Sequence, residues 1–197
     1  MWKMWMVSAL ALVFALDGAR QDEAAQVLVA YYSKEGHTKA MAHRVAQGAR
    51  SVEGVEVKLV TVGEATEGDI LEADAIVLGS PVYNANVAPP VQEFINRWPF
   101  RGSPLKDKLG AAFVTAGGMS AGEELVQTNI LHSMLVFGMV VVGGPRWRQA
   151  FGASGVVAEG PYQREEPKDH VDEYFLQKGE DLGKRVAELA VRLRRSR

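Results

Sequence analysis

The chain reads as an α/β protein, a doubly wound five-stranded parallel sheet in the order 2-1-3-4-5 with helices on both faces. Three observations predict this. Apolar runs alternate with helical patterns from residue 27 to the end. The first run, Val27-Leu28-Val29-Ala30-Tyr31-Tyr32, has no polar alternation, as expected of a central parallel strand buried on both faces. The first, third and fourth runs each end in a polar or glycine-bearing loop, and in such a strand order those three loops are neighbours at the carboxyl edge of the sheet.

The elements follow in order. Met41, Val45, Gly48/Ala49 and Val52 recur at helical spacing after Thr38 and predict a first helix closing near Gly54. Val55 to Val60 alternates as a less buried strand, and Ala73 to Ser80 is a third strand with an aliphatic centre. Pro89 and Pro90 suit a helix start, with Val91, Phe94, Ile95 and Trp98 as its apolar stripe. Leu109 to Thr115 is the fourth strand. Val126, Ile130, Met134 and Phe137 mark a helix capped by Gly138, and Met139 to Val142 is the fifth strand. Leu182, Val186, Leu189 and Leu193 carry a closing helix, whose terminal arginines suit its dipole. The linkage between the second and third strands, about Thr61 to Glu72, is short and carries no predicted element.

Composition narrows the function. The 197 residues suit one domain with a sizeable core, and 22 basic residues against 24 acidic ones leave no electrostatic footprint for nucleic acid. Without cysteine there is no disulfide, thiol nucleophile or thiolate metal site. Residues 1–25 form a separate segment: a short basic start, an apolar run from Met4 to Leu16 and a polar linker. The run has the length of a signal-peptide core and is short for a bilayer span. The expectation is an exported protein if this is a true signal, with membrane contact only if it stays uncleaved, and a cytoplasmic one otherwise. Residues 26–197 form the domain.

The three loops suggest a ligand. Ser33-Lys34-Glu35-Gly36-His37-Thr38 supplies hydroxyls, a flexible glycine and the free N–H groups of a helix start, which together hold a phosphate. It lacks the Gly-Lys-Ser/Thr of nucleoside-triphosphate loops and the Gly-x-Gly-x-x-Gly of dinucleotide loops, so a mononucleotide is preferred. In Ser80 to Asn86, Pro81 stiffens the chain and Tyr83 can cover a ring; Thr115 to Gly122 offers backbone N–H groups unobstructed by side chains.

These residues also carry a resemblance. Tyr31-Tyr32-Ser33-x-x-Gly36-His37-Thr38, Gly79-Ser80-Pro81-Val82-Tyr83, Phe113-x-x-Ala116-Gly117-Gly118 with Gly122-Glu123-Glu124, and Gly138-Met139-Val140-Val141-Val142 resemble the flavodoxin-like WrbA type of NAD(P)H:quinone oxidoreductase, over about Val27 to Leu193. The resemblance implies an FMN whose phosphate lies on Ser33, Glu35, Gly36, His37 and Thr38. Its ring would lie between Pro81, Val82, Tyr83 and Asn84 on one side and Thr115, Ala116, Gly117, Gly118 and Met119 on the other. It also implies NADH or NADPH as electron donor, a small-molecule quinone as acceptor, flavin-borne chemistry without a catalytic side chain or metal, and a homodimer or homotetramer. The alternatives are a flavodoxin-type electron carrier, against which the formal charge of −2 counts, and a flavin-free binding protein on the same fold. Family members often carry a histidine pair before the Gly-Met step, near the flavin's active face, where this chain has Val136 and Phe137. His132, a turn earlier, reads as a helix-surface residue, and Trp98 as a core residue rather than a flavin cover.

Overall fold

The computed structural model describes residues 24–163 and 169–196. The export or anchor reading of the N-terminal segment falls almost wholly outside them. Strand β1 (Ala25–Tyr31) lies between β2 (Val55–Thr61) and β3 (Ala75–Tyr83), and β5 (Leu109–Ala116) lies beyond β3, all parallel. Successive residues of the central strands point to opposite faces, as strand geometry requires. Val27, Val29, Ala75, Val77, Ala111 and Phe113 enter one core, and Leu28, Ala30, Ile76, Leu78, Ala112 and Val114 enter the other.

Helices α1 (His37–Arg50) and α5 (Glu173–Arg195) cover the first face. Their backbones touch: a Cβ on Gly183 would stand 1.9 Å from the Val45 carbonyl oxygen, so only glycine fits there. The buried side of α5 accordingly runs through Phe175, Gly179, Leu182, Gly183, Val186, Ala187 and Ala190, while the expected stripe member Leu193 is 39% exposed. Of the terminal arginines, Arg194 has more than the helix dipole to serve, since its Nη1 lies 2.5 Å from Asp74 Oδ2, at the foot of β3. Helices α2 (Glu67–Glu72), α3 (Pro89–Asn96) and α4 (Glu123–Val136) cover the other face.

The strand order matches the expectation, and the inventory of elements differs in three places. Helix α2 lies in the linkage read as featureless. It is only six residues long, too short for a periodic pattern, and is started by a capping box between Thr66 and Asp69. Strand β3 runs three residues beyond Ser80 and folds back through Asn84 and Ala85, both at positive φ, into the two-residue β4 (Asn86–Val87). The fifth strand is broken. The two residues of β6 (Val140–Val141) pair with Leu109 and Gly110; the chain leaves the sheet, makes a 3-10 turn at Trp147–Gln149, and re-enters as β7 (Ala153–Val156) beside Phe113 to Ala116.

Candidate functional site

The carboxyl edge of the sheet brings the three predicted loops together. In the first, Gly36 is the N-cap of α1 at φ 97°, a left-handed conformation that glycine adopts without strain. Its N–H donates to Ser33 Oγ at 3.1 Å, which leaves the Ser33 hydroxyl proton for an outside acceptor. Among the described residues no side chain caps the helix, which leaves the first-turn N–H groups after Gly36 without an intrahelical or side-chain partner there. Glu35 is exposed and His37 half-buried beside them.

Thr38 lies beneath the first loop, at the start of α1. It is 1% exposed, and its Oγ1 lies 2.7 Å from Thr115 Oγ1, at the end of β5 and itself 4% exposed. The pair therefore ties the start of the first helix to the strand that leads into the third loop. One of the two hydroxyls donates to the other, and the donor's lone pairs and the acceptor's proton remain available nearby.

The second loop is largely strand. Pro81, Val82 and Tyr83 belong to β3, and Ser80, fully buried, fixes the fold-back: its Oγ accepts the Ala88 N–H at 3.0 Å and donates to the Pro81 carbonyl at 2.8 Å. Tyr83 is half-buried, and burial, followed by Tyr32, the Glu35 carboxylate and a hydrogen bond with Tyr32, pushes its hydroxyl above the ordinary phenol range. It thus presents a neutral ring beside Tyr32, at the end of the first strand, and within the field of Glu35 in the first loop. Asn84 is exposed at the hairpin tip, whose Ala85 packs within about 2.7 Å of the position a Gly122 Cβ would take.

In the third loop, Ala116 is buried, while a Cβ on Gly117 would meet nothing within 4 Å, so that backbone faces open space. The Met119 N–H is engaged by Glu159 Oε2 at 2.6 Å, and the same carboxylate oxygen stands 2.6 Å from where a Gly118 Cβ would be. Glu159 and Asp169 are the residues that the sequence did not bring to this edge. Asp169 packs its Cβ against Gly36, 2.4 Å from a would-be Cβ there. Both come from the stretch between β7 and α5, for which the sequence predicts no element.

Val136 and Phe137 are not at this edge. Helix α4 starts at the third loop and runs for 14 residues, roughly 21 Å, toward the opposite edge of the sheet. There Phe137 packs at 5.4 Å from Trp98 and 5.7 Å from Phe100, and Val136 is 71% exposed. Their identity therefore does not alter the three-loop site of the same chain. Trp98 is a core residue as expected, 4% exposed and edge-on to Phe94, with its indole N–H buried without a partner among the described residues. His132 lies exposed on α4.

Comparison with known proteins agrees with this geometry. The family described as NADPH-dependent FMN reductase matches residues 64–152. A flavodoxin of Aquifex aeolicus is 37% identical over 151 residues, covering 72% of this chain and 78% of the relative. An NAD(P)H dehydrogenase (quinone) of Azorhizobium caulinodans is 34% identical over 163 residues, covering 70% and 80%. Among solved structures, a flavodoxin, WrbA-like protein of Agrobacterium tumefaciens superposes with a TM-score of 0.68 over 86% of this chain and 99% of its own, at 21% identity, a likeness of fold.

Proposed function

Because the chain belongs to the flavodoxin-like, WrbA-type family of oxidoreductases, we propose that it is an FMN-dependent NAD(P)H:quinone oxidoreductase. The observation that carries this reading is the meeting, at one sheet edge, of an uncapped helix start at Gly36, the half-buried ring of Tyr83 and the open backbone at Gly117. An anion fits the first, and a flat ring fits between the other two.

In this proposal Ser33, Gly36 and His37 hold the phosphate, with the Ser33 hydroxyl donating because its oxygen is already occupied by the Gly36 N–H. Glu35 flanks that end, Thr38 positions it from below through Thr115, and Ala116 anchors the third loop in the sheet. Pro81, Val82, Tyr83 and Asn84 line one side of the ring, and Gly117, Gly118 and Met119 the other. When bound, FMN would supply the redox chemistry that links NAD(P)H oxidation to two-electron reduction of a quinone. The protein side chains hold, orient and shield; no acid, base or nucleophile from the chain is required. Tyr83 stays neutral throughout, since its raised pKa keeps the hydroxyl protonated.

The test is spectroscopic and kinetic. The purified chain mixed with FMN should show protein-bound flavin bands in the visible, and NADH or NADPH should then be consumed in step with added benzoquinone. Absence of bound flavin would overturn the reading. Bound flavin that reduces one-electron acceptor proteins quickly, while benzoquinone turnover stays slow, would mark a flavodoxin-type electron carrier instead.

A further inference from the structure

The excursion that breaks the fifth strand builds a second cavity. Its volume is about 720 Å³, and none of its lining residues belongs to the three loops. One wall is the 3-10 turn with Arg146, Trp147 and Arg148; the other is the exposed side of α5 with Tyr174 and Lys178. The walls are held together from below. Buried Gln149 donates to the Lys178 carbonyl at 3.2 Å, and Arg185 to the Gly144 carbonyl at 2.6 Å.

Charge in this cavity is unbalanced. Of the two acids in its lining, Glu173 pairs with Arg44 outside it, and Asp181 lies 3.4 Å from Arg146. Among the described residues, Arg148 and Lys178 have no carboxylate within ion-pair distance; Glu123 acts on Lys178 only from farther away. Both cations lean on aromatic rings instead: Arg148 lies 5.0 Å from the Trp147 ring centre, and Lys178 lies 5.1 Å from those of Tyr174 and Phe175. The Arg148 guanidinium also lies 3.5 Å from the Tyr174 hydroxyl, and that contact, helped by the charges of Lys178, Arg148 and Arg146, holds the phenol below its ordinary range against the opposing effect of burial. Trp147 is 82% exposed, so its ring is open to a ligand in the cavity that it lines.

We propose that this cavity is a binding site for a planar aromatic group carrying a phosphate, a purine nucleotide in type, with the phosphate on Arg148 and Lys178 and the base against Trp147. A guanidinium and an ammonium separated by aromatic rings suit a ligand that is anionic at one end and flat at the other. The volume falls in the range of small-molecule sites. Two sources share this chemistry: a free nucleotide, or the adenosine-phosphate half of NAD(P)H. The direct-binding test below is independent of the flavin reading, whereas the dinucleotide arm rests on it.

The probe is ADP, titrated calorimetrically into the full chain with and without saturating FMN. One-to-one binding is expected in both conditions. Arg148→Ala and Lys178→Ala should each weaken it about tenfold, the loss of one charge-assisted contact, and adenosine should bind more weakly than ADP. In turnover assays, an Arg148→Ala enzyme with raised KM for NADH or NADPH and unchanged kcat assigns the site to the dinucleotide; unchanged KM with lost ADP binding assigns it to a free nucleotide. No ADP binding at millimolar concentration, binding abolished by FMN, or binding unchanged in the double variant would overturn the proposal. Should FMN fail to bind at all, the titration without it still decides the matter.

Discussion

Strand β1 and the fifth strand position lie in one sheet, yet they are specified in opposite ways. β1 is seven residues long, buried except at Gln26, and laddered to β2 along its whole length and to β3 over five residues. Its aliphatic run would seek a sheet centre in any α/β chain. The fifth position is filled by two residues of β6 and four of β7, paired among the described residues only to β5, with residues 143–152 looped out after Val142 makes its last bond to Gly110. Ala153-Ser154-Gly155-Val156 has little strand propensity of its own. It is a strand because β5 offers it a ladder and because small residues fit there: a Cβ on Gly155 would already lie 3.1 to 3.3 Å from Met41, Phe175 and Val171. One strand is dictated by its own residues, the other by its surroundings.

That contrast is broken most forcefully at Gly152, where the returning chain meets β5. Its φ is 123°, and an added Cβ would stand 1.9 Å from the Ala112 carbonyl oxygen. Gly152→Ala should therefore lose about 3 kcal/mol or more in urea denaturation, from backbone strain and overpacking together. Gly54→Ala is the control: its φ of 78° carries strain, but nothing lies within 4 Å, and the loss should be about 1 kcal/mol. Equal losses at the two positions would mean that β7 does not approach β5 as described.

The next effect lies at the join between the two regions. Thr38→Val removes one hydroxyl of the buried Thr38–Thr115 pair and leaves the other without its partner. The expected loss is about 2 kcal/mol of stability, from one orphaned buried polar group. FMN affinity should fall with it, because the start of α1 is no longer anchored to β5. Thr38→Ser keeps the hydroxyl and should retain most of both. A variant with weakened FMN binding and unchanged stability would instead give Thr38 a direct phosphate contact.

The same division explains what could be read from the chain. The strand order, the first loop and its helix start, and both faces of the central sheet follow from apolar runs whose burial is intrinsic to them. Helix α2 and the β3–β4 hairpin were not legible because each is short and depends on local bonds: a capping box at Thr66 and Asp69, and a buried Ser80 hydroxyl that fastens Ala88. Glu159 and Asp169 escaped because nothing in their neighbourhood fixes which sheet edge they reach. The family's histidines suggest a place near the flavin for Val136 and Phe137. The direction of α4 places them at the far edge, and direction follows from topology rather than from the residues themselves.

The smallest effects test how tightly the imposed strand and the hairpin are held. Gln127, 2% exposed on α4, donates to the Ala153 carbonyl at 3.0 Å and so pins the first residue of β7 from the opposite face of the sheet. Gln127→Leu should cost about 1 kcal/mol, the net worth of one such bond with its acceptor left partly unsatisfied, and amide exchange should quicken in β7 while β1 stays protected. At the hairpin tip the sign reverses. Ala85 holds φ 60°, where an alanine side chain is strained. Ala85→Gly relieves the strain but frees the unfolded chain, so the net gain should be about 0.5 kcal/mol. A loss on thermal denaturation would show that the Ala85 methyl, which rests in the space left open at Gly122, contributes more by packing than it costs in backbone strain. The hairpin would then belong with β7 among the segments shaped by their neighbours.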